Sequence, residues 1–500
     1  MADRARTVWL PALGLAALAV GAAAAARFAS AGLTLSHYDA KAHLVVARRI
    51  LDSLTPGWMQ IGAVWLPLPH LLNVLPVQTD FFYRTGAFGV GLSVLAFSLT
   101  VYLVARIVFE ATGSRLAALA GAAAFGSNPD VLYLQSTPMT EPLLMVLTVG
   151  SVWLGVRALR AGPGARTRAA GLALAGACLT RYEAWPITAA FLVLAFAALI
   201  REGRPVRAAV RLVGRLAAYP AAGILAFLLL SRATVGEWFV DSGFFVPENA
   251  ATGRPALAAI SVWWGLHRLA GYPLVLAGAA GLLLLAGRAL TARRLAAWLP
   301  VLALAGAAAL PMYAFYSGHP FRIRYMIPLI PAIGIGAGCA VGLAGRAKLV
   351  AAAVVGAALV AAPHPLDPAA PMVLEAQWDR SNQAGRGQVA AYLRSHWDGE
   401  PIMASMGSLA HFMQELASDG HRVRDFLHEG NGDIWLAALE SPGPHAEWML
   451  IEEYAEGGDM LAARARQRPR FLAGYDRVAE GGGVALYHRR PLGGSHAAAD

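Results

Sequence analysis

The chain has 500 residues, 57% of them apolar and 14% charged, with a formal charge of +10 and only two cysteines. Soluble domains carry charge at roughly a quarter of their positions, so this composition excludes a soluble enzyme and predicts a multi-pass α-helical membrane protein. Cys178 and Cys339 both fall in apolar runs, which excludes a disulfide framework or a cysteine metal site in any exported part.

Apolar runs recur at Val8–Ala26, Gly86–Val108, Leu116–Phe125, Leu143–Leu159, Ala169–Leu179, Ile187–Ile200, Leu212–Leu230, Tyr272–Ala286, Leu295–Ala314, Tyr325–Ala344 and Leu349–Ala362. They predict about eleven spans, a few of them too short to cross ~30 Å untilted. Short spans imply helices that break or tilt around a cavity. The first run exceeds the ~7–15 apolar residues of a signal peptide and reads as an uncleaved anchor.

Arginine and lysine set the expected orientation. Arg4 and Arg6, Arg106 and Arg115, Arg157 to Arg168, Arg201 to Arg215, Arg288 to Arg294, and Arg346 with Lys348 mark the cytoplasmic loops. The amino terminus is then cytoplasmic, while the His37–Arg84 loop and everything after Pro363 are extracytoplasmic, as in a plasma-membrane protein. Because topology accounts for the basic residues, no nucleic-acid partner is expected.

The most informative stretch is His37-Tyr38-Asp39-Ala40-Lys41-Ala42-His43, which places ionisable groups where the first span leaves the bilayer. A carboxylate there is costly unless it faces water, a partner or a substrate, so Asp39 is the first functional candidate. Ala40 to Leu54 follows with Leu44, Ala47, Leu51 and Leu54 on one face and Lys41, Arg48, Arg49 and Asp52 on the other, the pattern of an interfacial helix. Thr55-Pro56-Gly57 stops it, and the Val64-Trp65-Leu66-Pro67-Leu68-Pro69 run forbids a continuous helix.

Thr140-Glu141-Pro142 reads as a helix start, with Thr140 as N-cap. Glu141 is a second candidate, although a carboxylate at a helix amino terminus also has a structural explanation worth a few tenths to ~1 kcal/mol. Thr180-Arg181-Tyr182-Glu183 and His319-Pro320-Phe321-Arg322-Ile323-Arg324-Tyr325 put arginines on the outer face, against the topological bias. Pairing of Arg181 with Glu183, or snorkelling, is the simpler account of each arginine alone. The Ser231–His267 stretch, with Glu237, Trp238, Asp241 and Glu248, reads as a medium-length loop forming a partly ordered rim on the same side.

Beyond Pro363 the composition turns soluble. Helices are predicted over Gln388–Trp397, Ser408–Leu416 and Asp433–Leu439, strands over Pro401–Met406 and Trp448–Ile451, and a hairpin over Phe471–His488 turning at Gly481-Gly482-Gly483. The expected division is a membrane module over 1–362, with interfacial helices in loop 36–84, and an extracytoplasmic α/β domain over 363–500. The histidines of that domain lack metal-ligand spacing.

Outward carboxylates, outer-face arginines and a groove between short spans suit glycosyl transfer from a lipid-linked phosphosugar. The carboxylate takes the acceptor hydroxyl proton, and arginines neutralise the departing phosphate. Tyr38-Asp39, Val64–Pro69, Thr140-Glu141-Pro142, Thr180–Glu183 and Ile323-Arg324-Tyr325-Met326-Ile327-Pro328 together resemble the GT-C superfamily of membrane glycosyltransferases, near the protein O-mannosyltransferase and aminoarabinose-to-lipid-A transferase group. The resemblance covers about residues 7–362. It implies Asp39 as catalytic base, Glu141 as a supporting acid, and Arg181 and Arg324 as donor-phosphate ligands. Tyr182, Glu183, Arg322 and Tyr325 would flank the substrate. Lys41 and His43 are further phosphate candidates, with snorkelling and interfacial solvation as the simpler account. The implied partners are a polyprenyl-phosphate sugar donor, membrane lipids and an acceptor on a protein, glycan or lipid. Where the family often has an acidic pair in the first outer loop, this chain has a lone Asp39 beside His37, so no metal or other cofactor is assigned.

The rival readings are a transporter or flippase, and a noncatalytic assembly protein. Transport predicts ionisable residues within the spans and repeated halves. Here the notable charges collect at one face, and no repeat is evident.

Overall fold

A computed structural model describes residues 8–162, 164, 166–238, 249–455 and 458–491. Arg4 and Arg6 of the orientation argument, and Asp241 and Glu248 of the expected rim, lie outside the described residues. The chain forms two compact units. The first comprises the chain up to Thr34, Ala63–Pro69 and Phe88–Glu375; the second comprises Leu35–Gly62, His70–Ala87 and the chain from Ala376 onward. Most of the first outer loop thus clusters with the carboxy-terminal residues.

The first unit is helical, and each apolar run of the sequence coincides with a helix. Among the described residues, eight helices are long and apolar enough to cross a membrane, from Trp9–Ser30 to Ile323–Leu343. Arg115–Gly126, Arg168–Cys178 and Lys348–Ala361 are short, at 12, 11 and 14 residues. Two spans change winding along their length. Arg293–Ala308 is a 3-10 helix containing Pro300 before Ala309–Ser317 continues as α-helix, and Ile323–Leu329 winds the same way around Pro328 before Ile330–Leu343. A 3-10 helix rises ~2.0 Å per residue, and proline removes an α-helical hydrogen bond, so the altered winding suits both proline positions.

The described parts of the Ser231–His267 stretch are largely helical, where a loop is expected. Val206–Val235 runs on past Leu230 and ends at Gly236, and a further helix, Pro255–Ala270, starts with proline in its first turn and buries Ala258, Val262 and Leu269 along one face. That helical periodicity was hidden among polar and aromatic residues.

Ile323–Leu343 is the most enclosed span, with 83% of its apolar window buried against 22% for Trp9–Ser30. Glycine makes this possible. A Cβ on Gly336 would lie 2.1 Å from the Gly278 carbonyl oxygen, and one on Gly121 would lie 2.8 Å from that of Gly334. The backbones of Tyr272–Thr291 and Arg115–Gly126 therefore press against Ile330–Leu343, the close approach that small residues allow between membrane helices.

The second unit carries a five-stranded sheet of order β2-β1-β3-β5-β4. β1 (Ile402–Ala404) pairs in parallel with β2 (Phe426–Leu427) and β3 (Trp448–Glu452). β5 (Val484–Arg489) runs antiparallel to β3 and to β4 (Tyr475–Gly481), with an irregularity at Arg477/Ala479. The β4–β5 hairpin turns at Gly482 and Gly483, both at positive φ, as a two-residue turn of this kind requires. Helices Gln383–His396, Met406–Leu416 and Asp433–Glu440 match the expected elements, whereas β2 and helix Met460–Gln467 had too short an apolar pattern to read. Trp435, Met449, Leu461, Phe471 and Tyr475 fill one core.

Helix Tyr38–Arg49 belongs to this unit, and its charged face is not solvated as expected: Asp39, Lys41, His43 and Arg48 are buried, while Leu51 and Leu54 beyond its end are exposed. The charged face is not solvated because it meets partners. Lys41 Nζ lies 2.5 Å from Glu415, and Arg48 pairs with Asp52 and Asp80. Glu415 also receives Arg386, which holds Asp379 at 2.6 Å.

Two measurements test this packing. Gly336→Ala should lower thermal stability of the purified chain by about 1–3 kcal/mol, whereas Gly356→Ala, whose Cβ meets nothing within 4 Å, should leave it within ~0.5 kcal/mol. His411 sits among Arg386, Glu415, Asp379 and Lys41, and burial lowers its pKa to about 4. Its neutral form is the folded one, so stability present above pH 6.5 is lost as pH falls toward 4; Glu452, pushed up to about 7 by burial, acts with the opposite sign as pH rises. His411→Gln should therefore flatten the loss of stability between pH 6.5 and 4 by up to about 3 kcal/mol in a melting-temperature series.

Candidate functional site

In the first unit the site is built from the ends of helices. The Arg168–Cys178 helix terminates in a tight turn in which Thr180 N–H donates to Ala177 (3.0 Å) and Ala184 N–H to Arg181 (3.1 Å). Trp185 Nε1 bonds the Cys178 carbonyl (3.0 Å), fastening the turn to the next helix. Leu68 N–H donates to the Leu179 carbonyl (2.9 Å), and the Tyr182 hydroxyl to that of Ala63 (3.3 Å). The proline-rich Ala63–Pro69 segment is thereby tied to the Thr180–Glu183 turn.

This turn presents Arg181 to two carboxylates. Its Nη1 lies 3.0 Å from Glu141 Oε1 and donates to the Thr140 hydroxyl at 3.0 Å; Nη2 and Nε hold Glu183 at 2.9 to 3.3 Å. Glu141 and Glu183 are 0% and 2% exposed at their side chains, and Arg181 14%. Burial opposes the Arg181 charge, but Glu141 and Glu183 outweigh it and hold the guanidinium above its ordinary value, with Arg324 acting against them. Thr140 occupies the N-cap position of Glu141–Ala161, yet its hydroxyl makes no cap bond; it serves Arg181. Arg181 therefore neighbours Glu141 directly, as well as its sequence neighbour Glu183.

Arg324 is buried on the Ile323–Leu329 turn, which packs against Glu141–Ala161, and its guanidinium lies 5.9 Å from the Tyr325 ring centroid. The Tyr325 hydroxyl meets His319 Nε2 at 3.1 Å, and Arg322 is half-buried at the start of the turn. Asp130, on the short helix Pro129–Leu134, is fully buried; one oxygen accepts the Met372 amide (2.7 Å), and burial, with Glu375 and Asp367 adding, pushes its carboxyl to about 7.

The second unit holds the other candidates. Asp39 lies in the first turn of Tyr38–Arg49, favourable for a carboxylate, and its N–H donates to Nδ1 of His37, the N-cap, at 3.1 Å. The His37 ring stacks on Tyr38 at 4.7 Å. His43 Nδ1 meets His70 Nε2 at 3.1 Å, and Lys41 meets Glu415. Both corrections to the solvated reading have one cause: a buried charge or imidazole needs a polar partner. No local signal identifies Glu415, 374 residues from Lys41 in sequence. His70, in contrast, stands out beside Pro69 in the first outer loop.

Four of the five sequence motifs therefore converge in the first unit, and Tyr38-Asp39 lies in the second. Among the described residues, no group of three or more His, Cys, Asp or Glu side chains is arranged to hold a metal ion.

No protein-family model and no curated protein sequence matches the chain. Among solved structures, it is similar to ArnT from Cupriavidus metallidurans bound to undecaprenyl phosphate, with a TM-score of 0.55 and 13% identity, over 96% of this chain and 98% of that one. The chain is a multi-pass membrane protein with a GT-C-like fold, as the sequence resemblance implies.

Arg181→Gln should cost about 3–5 kcal/mol in thermal unfolding by leaving Glu141 and Glu183 buried without their cation. Arg181→Lys should restore only part, since ammonium lacks the bidentate fork, and combining Arg181→Gln with Glu141→Gln should recover stability relative to the single change.

Proposed function

We propose that the chain is a membrane glycosyltransferase that moves a sugar from a polyprenyl-phosphate donor to an acceptor hydroxyl on the extracytoplasmic face. The likeness of fold to a protein solved with undecaprenyl phosphate, spanning nearly the whole chain, carries this reading. Asp39 acts as general base. It takes the acceptor proton while the hydroxyl oxygen bonds to the anomeric carbon, and the bond from that carbon to the phosphate oxygen breaks. The polyprenyl phosphate leaves with the negative charge, which guanidinium groups stabilise.

Arg181, which shares its charge with Glu141 and Glu183, and Arg324 are the guanidinium groups assigned to the donor phosphate. Glu141 acts through Arg181, holding it in place. Arg322, Tyr182, Glu183 and Tyr325 flank the substrate, and Lys41 and His43 support the Asp39 helix through Glu415 and His70. In this reading the amino terminus is cytoplasmic and the carboxy-terminal domain extracytoplasmic. The sugar is a hexose or pentose carried to a protein, glycan or lipid hydroxyl.

Incubation of the purified chain with a panel of polyprenyl-phosphate sugars and acceptors tests this. Asp39→Asn should reduce transfer by at least ~100-fold while expression and donor binding persist. Transfer at the wild-type rate by that variant would sink the mechanism.

A further inference from the structure

The second unit contains a polar cavity of about 330 Å³ that plays no part in the proposed transfer. Arg48, Asp52, Gln78, Asp80, Arg422 and Arg424 line it. Their charges divide into a fixed wall and an available face. Asp52 is 3% exposed at its side chain and clamped between Arg48 Nε (2.9 Å) and Arg424 Nε. Burial alone would raise its carboxyl, but hydrogen bonds from Arg424 and Arg48 hold it below the usual carboxylate range, so it stays ionised near neutrality.

Arg48 is fully committed: its Nη1 donates to the Val77 carbonyl (3.3 Å), its Nη2 meets Asp80 (2.9 Å), and its guanidinium lies 4.4 Å from the Tyr83 ring centroid. Arg84 adds a second cation to Asp80. Among the described residues, Arg424 spends only Nε on Asp52 and is 53% exposed at its side chain, leaving both terminal nitrogens available. Arg422 is exposed, and its guanidinium makes no ion pair among the described residues. Three guanidinium groups and two carboxylates line the cavity, with Asp425 beside Arg422, and the positive charge not spent on Asp52 and Asp80 lies on Arg422 and Arg424 at the cavity wall.

We propose that this cavity binds a phosphate-class oxyanion, with Arg422 and Arg424 as its ligands. Two neighbouring guanidinium forks supply the planar, charge-assisted donors that a tetrahedral dianion takes up better than a carboxylate. Asp52 orients Arg424 by fixing Nε, and so acts as a positioning residue. The inference stands apart from the transferase reading, since it concerns binding alone.

Calorimetric titration of the purified full chain at low salt with inorganic phosphate, glucose 6-phosphate and acetate tests it. Both phosphates should bind saturably, at least ~10-fold more tightly than acetate, and weaken as salt rises. R422Q, which leaves the Asp52 clamp intact, should weaken phosphate binding about 3- to 10-fold, R422Q with R424Q more than ~10-fold, and R470Q, outside the cavity, less than ~2-fold. Tighter binding of glucose 6-phosphate would support a phosphorylated group on a larger molecule as the source, and tighter inorganic phosphate the free ion. No saturable binding, acetate equal to phosphate, or an unchanged R422Q would overturn the proposal.

Discussion

Arg181 sits between two carboxylates that are 0% and 2% exposed at their side chains, and the helix ends and turns of the candidate site in the first unit depend on this ion-paired triad. Each charge would be prohibitive alone, because burial of an unpaired ion costs several kcal/mol. Together they bind the start of one span, the turn between two others and the Thr140 hydroxyl into one geometry. The Tyr182 and Leu68 hydrogen bonds attach the proline-rich loop segment to the same turn. Motifs that are loose individually thereby become a single arrangement.

The same rule organises the second unit. Helix Tyr38–Arg49 carries too many charges to lie buried without partners, and Glu415, Asp80 and Asp52 supply them. Glu415 is shared by Lys41 and Arg386, and its carboxyl lies below its ordinary value because those two cations overcome the burial penalty. A helix bearing the proposed base thus rests on the carboxy-terminal domain's own ion-pair network. Such support favours a rigid catalytic carboxylate over one on a loose connector.

The glycines of the inner span make a complementary contribution. Where charges hold the helix ends, Gly336 and Gly121 let backbones approach without side chains between them. The altered winding at Pro300 and Pro328 occurs in neighbouring spans. Fold and candidate site therefore rest on different interactions, packing for the spans and paired charge for the turns.

The amino-acid sequence by itself determined the membrane class, the position of every apolar run that became a helix, and most of the carboxy-terminal elements, because apolar length and periodicity are local properties. It also marked Glu141, Arg181, Glu183 and Arg324 as unusual, since charge beside a span is visible in one dimension. Tertiary structure decided their pairing: that Arg181 embraces Glu141 as well as its neighbour Glu183, that Thr140 serves Arg181 instead of capping, and that Lys41 is buried against Glu415. The helix Pro255–Ala270 and the two-residue strand β2 likewise emerged only in the fold. The physical reason is common to all of these: the partner of a buried charge, or of a short strand, is chosen by contacts between segments distant in sequence, and no local pattern records that choice.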